Sequence, residues 1–134
     1  MRYSIMLFFI LVLTGCESRK TTRETESVKT PKEVVIAYLA ATNRFDYKEA
    51  EKFLIPNKKN LLDLETLKKM EKSLPDDRKA TFLNKEKNAG YYEKSITDST
   101  AQYFVNPDQD AVSPIEFNLK KVNNNWMIES VITH

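Results

Sequence analysis

Glycine, cysteine and histidine are nearly missing from this chain: its 134 residues include two glycines (Gly15 and Gly90), one cysteine (Cys16) and one histidine (His134). Two glycines so far apart cannot build the Gly-rich turns that cradle a dinucleotide or a nucleotide phosphate. One Cys and one His cannot supply the four ligands of a structural zinc cage or the three protein ligands of a catalytic one, so neither metal nor cofactor is expected. An intrachain disulfide is impossible. An excess of charge of one sign is also lacking. Lys plus Arg total 21 against 19 Asp plus Glu, a net +2 spread along the chain, and no basic stripe points to nucleic acid. The length fits one domain, and 41% hydrophobic with 30% charged residues is a globular composition.

Long apolar runs are absent except at the start. Met1 and Arg2 precede nine unbroken apolar residues, Ile5 to Leu13, and then Thr14, Gly15 and Cys16. At about 1.5 Å per residue this run spans under half of a roughly 30 Å hydrocarbon core, too short for a transmembrane helix, and its layout is that of a secretory signal peptide. Leu13-Thr14-Gly15-Cys16 resembles the bacterial lipobox. The resemblance implies a signal peptide over residues 1–15, diacylglyceryl attachment and further acylation at Cys16, and a membrane-anchored lipoprotein of the bacterial cell envelope, its domain in the periplasm. Two or three acyl chains anchor stably where one does not. Residues 16–29 carry one apolar side chain beyond the cysteine, Val28, and are expected to form a flexible tether.

Residues 30–134 are expected to form one α+β domain. Thr30-Pro31-Lys32-Glu33 reads as a capping box with proline at the first helical position, and Val34, Tyr38, Ala41 and Phe45 recur on one face of a helix near 31–44. Asp46 with Glu49 starts a second helix, with Ala50, Phe53 and Leu54 inside and Pro56 as its stop. A third carries the stripe Leu61, Leu64, Leu67, Met70 and Leu74 and ends at Pro75; its lysines 58, 59, 68, 69 and 72 are offset by Asp63, Glu65 and Glu71 on a solvated face. After Pro75 the period changes to two. Residues 91–96 and 101–105 read as strands, and Ile115, Phe117 and Leu119 alternate with polar residues before an Asn123-Asn124-Asn125 turn and a return strand from Trp126 to Ile132. The pattern does not decide residues 80–87. Helices first and strands later argue for an antiparallel sheet with helices packed on it.

Pro31-Lys32-Glu33-Val34-Val35, Phe45-Asp46-Tyr47-Lys48-Glu49-Ala50 and the closing run from Leu119 to Ile128 resemble bacterial envelope lipoproteins with a cystatin-like domain of the nuclear transport factor 2-like superfamily. The resemblance covers residues 30–133, with Asn124 where similar proteins commonly place glycine. It implies N-terminal helices on a curved antiparallel sheet that closes into a cone, and no assigned activity.

Tyr38, Phe45, Tyr103 and Trp126 are the candidates to line such a cone, their Tyr and Trp donors available to a bound apolar molecule. A core role competes with that reading. Glu116 and Glu129 fall on the face opposite the apolar alternation, Glu129 opposite Trp126, Ile128 and Ile132, and neither has an expected partner to tune it as an acid or base. His134 is a terminal residue. Asp108 and Asp110 occupy a loop that lacks the turn glycine and distal Glu of a calcium site. No catalytic set emerges. The expectation is a non-enzymatic lipoprotein held by the membrane through Cys16, its cone binding a small apolar ligand or an envelope protein. The alternatives are a cone-type enzyme moving a proton on a small hydrophobic substrate, which needs a buried acid beside Tyr38 or Tyr103, and a structural or assembly role.

Overall fold

The computed structural model describes residues 27–108 and 113–134. The lipobox with Cys16, the first part of the tether and Asp110 lie outside the described residues.

Helix α1 (Pro31–Asn43) starts at the capping box read from the sequence: the Glu33 amide donates to the Thr30 hydroxyl at 3.3 Å, and Glu33 accepts from the Thr30 amide at 2.7 Å. Asp46 accepts from the Glu49 amide to start α2 (Tyr47–Glu51). Asn57 caps α3 (Lys58–Ser73), and a short α4 (Asp76–Ala80) follows Pro75. The undecided stretch resolves as the end of α4, a left-handed Asn84 and a single 3-10 turn over Lys85–Lys87.

Strands β1 (Gly90–Ile96), β2 (Thr100–Asn106), β3 (Ile115–Val122) and β4 (Asn125–Thr133) form a four-stranded antiparallel meander in chain order. Asn123 and Asn124, with φ of 47° and 65°, supply the two left-handed residues of the tight turn between β3 and β4. Helices cover one face only. Ala101, Tyr103 and Val105 of β2, Phe117 and Leu119 of β3 and Ile128 of β4 are buried there against Val34, Val35, Tyr38, Ala41, Ala50, Leu54 and Leu64. The fold class is therefore α+β, as the change of period predicts.

Two bulges bend the sheet. Lys94 is the extra residue of β1 and Glu129 that of β4, where the pairing steps from Asn118 with Ser130 to Leu119 with Ile128. The second bulge corrects the simple alternation read along β4. Beyond Glu129, Val131 turns to the helical side with Phe117, and Ile132 pairs with Glu116 on the outer face instead of sharing the face of Trp126 and Ile128. The Glu129 carbonyl, freed from the ladder, accepts from the side-chain amides of Asn57 at 2.9 Å and Asn60 at 3.1 Å.

Helix α3 departs from its expected packing. Leu64 is buried, but Leu61 and Met70 of the same stripe are 39% and 57% exposed. The first half of α3 is fixed to β4 through Asn57, Asn60 and Lys59, whose ammonium donates to the Val131 carbonyl at 2.8 Å. Asn60 is 1% exposed, and its amide nitrogen also reaches the carbonyls of Ile55 and Ile128. The second half stands off the sheet, so its apolar residues face a cavity rather than a packed core.

Candidate functional site

The space under the second half of α3 is a cavity of about 400 Å³. The sheet contributes Val105, Ile115, Phe117 and Val131; α1 contributes Tyr38, Leu39 and Thr42; Leu67 and Met70 of α3 and Leu74 just past its end, with Phe45, Tyr47 and Phe82, complete an apolar lining. Asn43, Glu71, Lys85, Glu86 and Asp108 give it a polar edge. A groove along α3 and β4 shares Tyr38, Leu67, Met70, Val131 and Thr133 with the cavity.

Tyr38 sits 5% exposed with its ring edge-on to Phe117, centroids 5.9 Å apart. Its hydroxyl has no hydrogen-bond partner among the described residues. Burial, then the charge of Asp63 and the neighbouring Tyr47, push its pKa up to about 12, so it stays a neutral donor. Tyr47 is held differently: its hydroxyl donates to the Leu67 carbonyl at 3.3 Å, tying α2 to α3 across the cavity. Burial, followed by the nearby Glu71 carboxylate, raises Tyr47 to about 12.

Phe45 reaches the site through an unusual backbone. Its φ is 63°, its amide donates to Thr42 at 3.0 Å and the next amide, of Asp46, donates to Ala41 at 2.9 Å. That pair of bonds is the Schellman ending of a helix, where glycine is the usual occupant. The ring meets Phe82 edge-on at 6.0 Å.

The four aromatic candidates separate. Tyr38 and Phe45 line the cavity; Tyr103 and Trp126 are not among its lining residues. Tyr103 is 5% exposed within the core, its hydroxyl donating to Glu93 at 2.6 Å; burial first, then that bond and the Glu93 charge, raise it to about 12. Trp126, at the start of β4, packs against the edge of the core with the Lys121 ammonium 5.0 Å from its ring centroid. Alternation along a strand gives the face of a side chain but not its distance from the open end of the sheet.

Glu116 lies on the outer face, away from the cavity. It accepts from Gln102 at 2.6 Å and Asn118 at 3.0 Å, with His134 at 3.5 Å. The Asn118 and then the Gln102 hydrogen bonds hold its carboxyl below the usual value of 4.5. Glu129 is exposed at the bulge. Asp108 meets Lys85 at 3.8 Å. Among the described residues no group of three His, Cys, Asp or Glu side chains is placed to hold a metal, and no helix is long and apolar enough to cross a membrane.

No pattern in the sequence marks Glu86. It is buried, at 7% exposure, and lines the cavity. The Asn43 side-chain amide donates to its Oε2 at 2.9 Å, and the Tyr91 hydroxyl donates to its backbone carbonyl at 2.6 Å. Glu86 meets one requirement of proton-transfer chemistry, a buried carboxyl, but no hydrogen bond joins it to Tyr38 or Tyr103.

No protein-family model matches the chain, and no curated protein matches it. Among solved structures it is similar to an NTF-2-like protein of unknown function from Shewanella oneidensis MR-1, with 14% sequence identity and a TM-score of 0.43 over 75% of this chain and 92% of that one.

Proposed function

We propose that this protein is a non-enzymatic, lipid-anchored envelope protein whose cone-shaped domain holds a small apolar ligand under α3. The observation that carries the reading is the cavity: about 400 Å³, lined mainly by aliphatic and aromatic side chains, among them Tyr38, whose hydroxyl has no hydrogen-bond partner among the described residues. Small-molecule sites are typically concave and apolar with a few convergent polar groups. At roughly 30 Å³ per water-sized group, this one has room for about a dozen such groups.

The anchoring half of the proposal is supported by the apolar run, the lipobox-like Leu13 to Cys16 and the polar stretch after it. The thirteen residues 17–29, as a flexible coil, would hold the domain about 20 Å from the lipid. Replacing Cys16 by Ala should leave an unprocessed chain without acyl groups. Processing and membrane attachment like the unaltered chain's would overturn the anchor.

The binding half is tested by titrating the full chain with phenylbutanol, an uncharged molecule with an apolar body and one hydroxyl. The expectation is saturable binding of one molecule per chain, with a Kd between about 1 μM and about 1 mM for a ligand of this size. Absence of saturable uptake would contradict it.

A further inference from the structure

We propose that the cavity selects ligands with a cationic amine, the ammonium meeting the Glu86 carboxylate while the apolar body lies along Tyr38 and Phe117. This rests on the cavity being a ligand site and names the class of ligand it takes.

A carboxylate that is nine-tenths buried normally has a cation beside it, because burying a lone charge is costly. Glu86 has none among the described residues: Oε2 takes the Asn43 amide, and Oε1, without a hydrogen-bond partner, stays open to an incoming group. The adjacent cation is directed elsewhere. The Lys85 ammonium lies 3.8 Å from Asp108 and 5.1 Å from the centroid of the Phe82 ring. The other carboxylates on the cavity's edge are matched, Asp108 by Lys85 and Glu71 by Lys79 at 3.7 Å. The unmatched charge at this edge is therefore negative and belongs to Glu86.

Its position is also fixed in advance. Asn43 at the end of α1 holds the carboxylate, and Tyr91 at the start of β1 holds the backbone of the same residue, so little ordering remains to be done when a ligand arrives. An ammonium group at Oε1 would gain a charge-assisted hydrogen bond there. A carboxylate-bearing ligand would meet repulsion at the same place.

Three probes of nearly equal size separate these effects: phenylbutylamine, phenylbutanol and phenylbutyrate, titrated into the full chain by calorimetry at neutral pH. The amine should bind at least about tenfold more tightly than the alcohol, the scale of one charge-assisted hydrogen bond, and the carboxylate should bind weakest. Glu86→Gln keeps an acceptor for Asn43 and should abolish the amine's advantage over the alcohol when both are titrated into that variant. Equal binding of the three probes to the unaltered chain, a comparison that requires no variant to fold, would overturn the proposal while leaving the cavity as a binding site. Survival of the amine's advantage in Glu86→Gln would do the same. Failure of the alcohol itself to bind would overturn both readings.

Discussion

Phe45 adopts φ of 63°, a region in which a bulky aromatic residue is an outlier and glycine is at ease. Strain of about 1–2 kcal/mol is carried there, and what it accompanies is a ring on the cavity wall against Phe82. Phe45→Gly should release the strain and lose the ring's packing together, leaving unfolding free energy within about 1 kcal/mol of the original while phenylbutanol affinity falls several-fold. Thermal unfolding and calorimetry measure the two effects. A clear gain in stability with binding intact would mean that the ring does not serve the cavity. The residue's place beside the cavity was legible as an aromatic closing a helical stripe, but its backbone was not, since no glycine marks the turn. Glu86 was illegible for another reason. It lies in a short 3-10 turn whose neighbours show neither helical nor strand period, and only the contacts with Asn43 and Tyr91 reveal that it is buried.

At the scale of elements, the strongest sequence signals were those in which local chemistry alone decides the outcome. Thr30 with Glu33, Asp46 with Glu49, and the paired asparagines of the β3–β4 turn behave as their side-chain geometry dictates. The stripe on α3 predicted an apolar face but not what stands opposite it, and half of that face borders a cavity. Asn60 shows where the anchored half begins. It lies four residues before Leu64, hence on the same helical face, and that spacing was the available clue to its burial. Its amide nitrogen is shared among the carbonyls of Ile55, Ile128 and Glu129, binding α3 to the bulge of β4. Asn60→Leu has nearly the same size but no donor. It should destabilise the fold by about 2 kcal/mol and allow α3 amides to exchange hydrogen well before those of β2 and β3. Uniform loss of protection across helices and sheet would show instead that α3 is not held separately. The bulge that creates this attachment also reversed the expected face of Ile132. A single inserted residue shifts every later side chain of a strand to the other side, and nothing in the alternation of Trp126 to Ile132 announces it.

The whole molecule combines a packed half and an open half. Val35, Val105, Phe117 and Ile128 are fully buried between the first helices and the sheet, while beyond Tyr38 the layers separate and α3 bridges the gap through Tyr47 and Leu67. An interior that is mainly apolar, open and walled on several sides by rigid elements gives a small amphipathic molecule a better environment than water does. The order of helices and strands, and with it the α+β class, could be read from the switch in period near Pro75. The existence of the cavity could not, because it depends on how far two correctly identified layers stand apart. The central claim is that this open space is a binding site, and the direct measurement compares phenylbutanol titrations of the unaltered chain and of Val131→Phe. Val131 lies on the helical side of β4 and lines the cavity, so a phenyl ring there occupies the space a ligand would use. The account predicts one saturable site in the unaltered chain and none in a Val131→Phe chain that still unfolds cooperatively at a similar or higher temperature. Equal binding by the two folded chains would place the ligand elsewhere and contradict it.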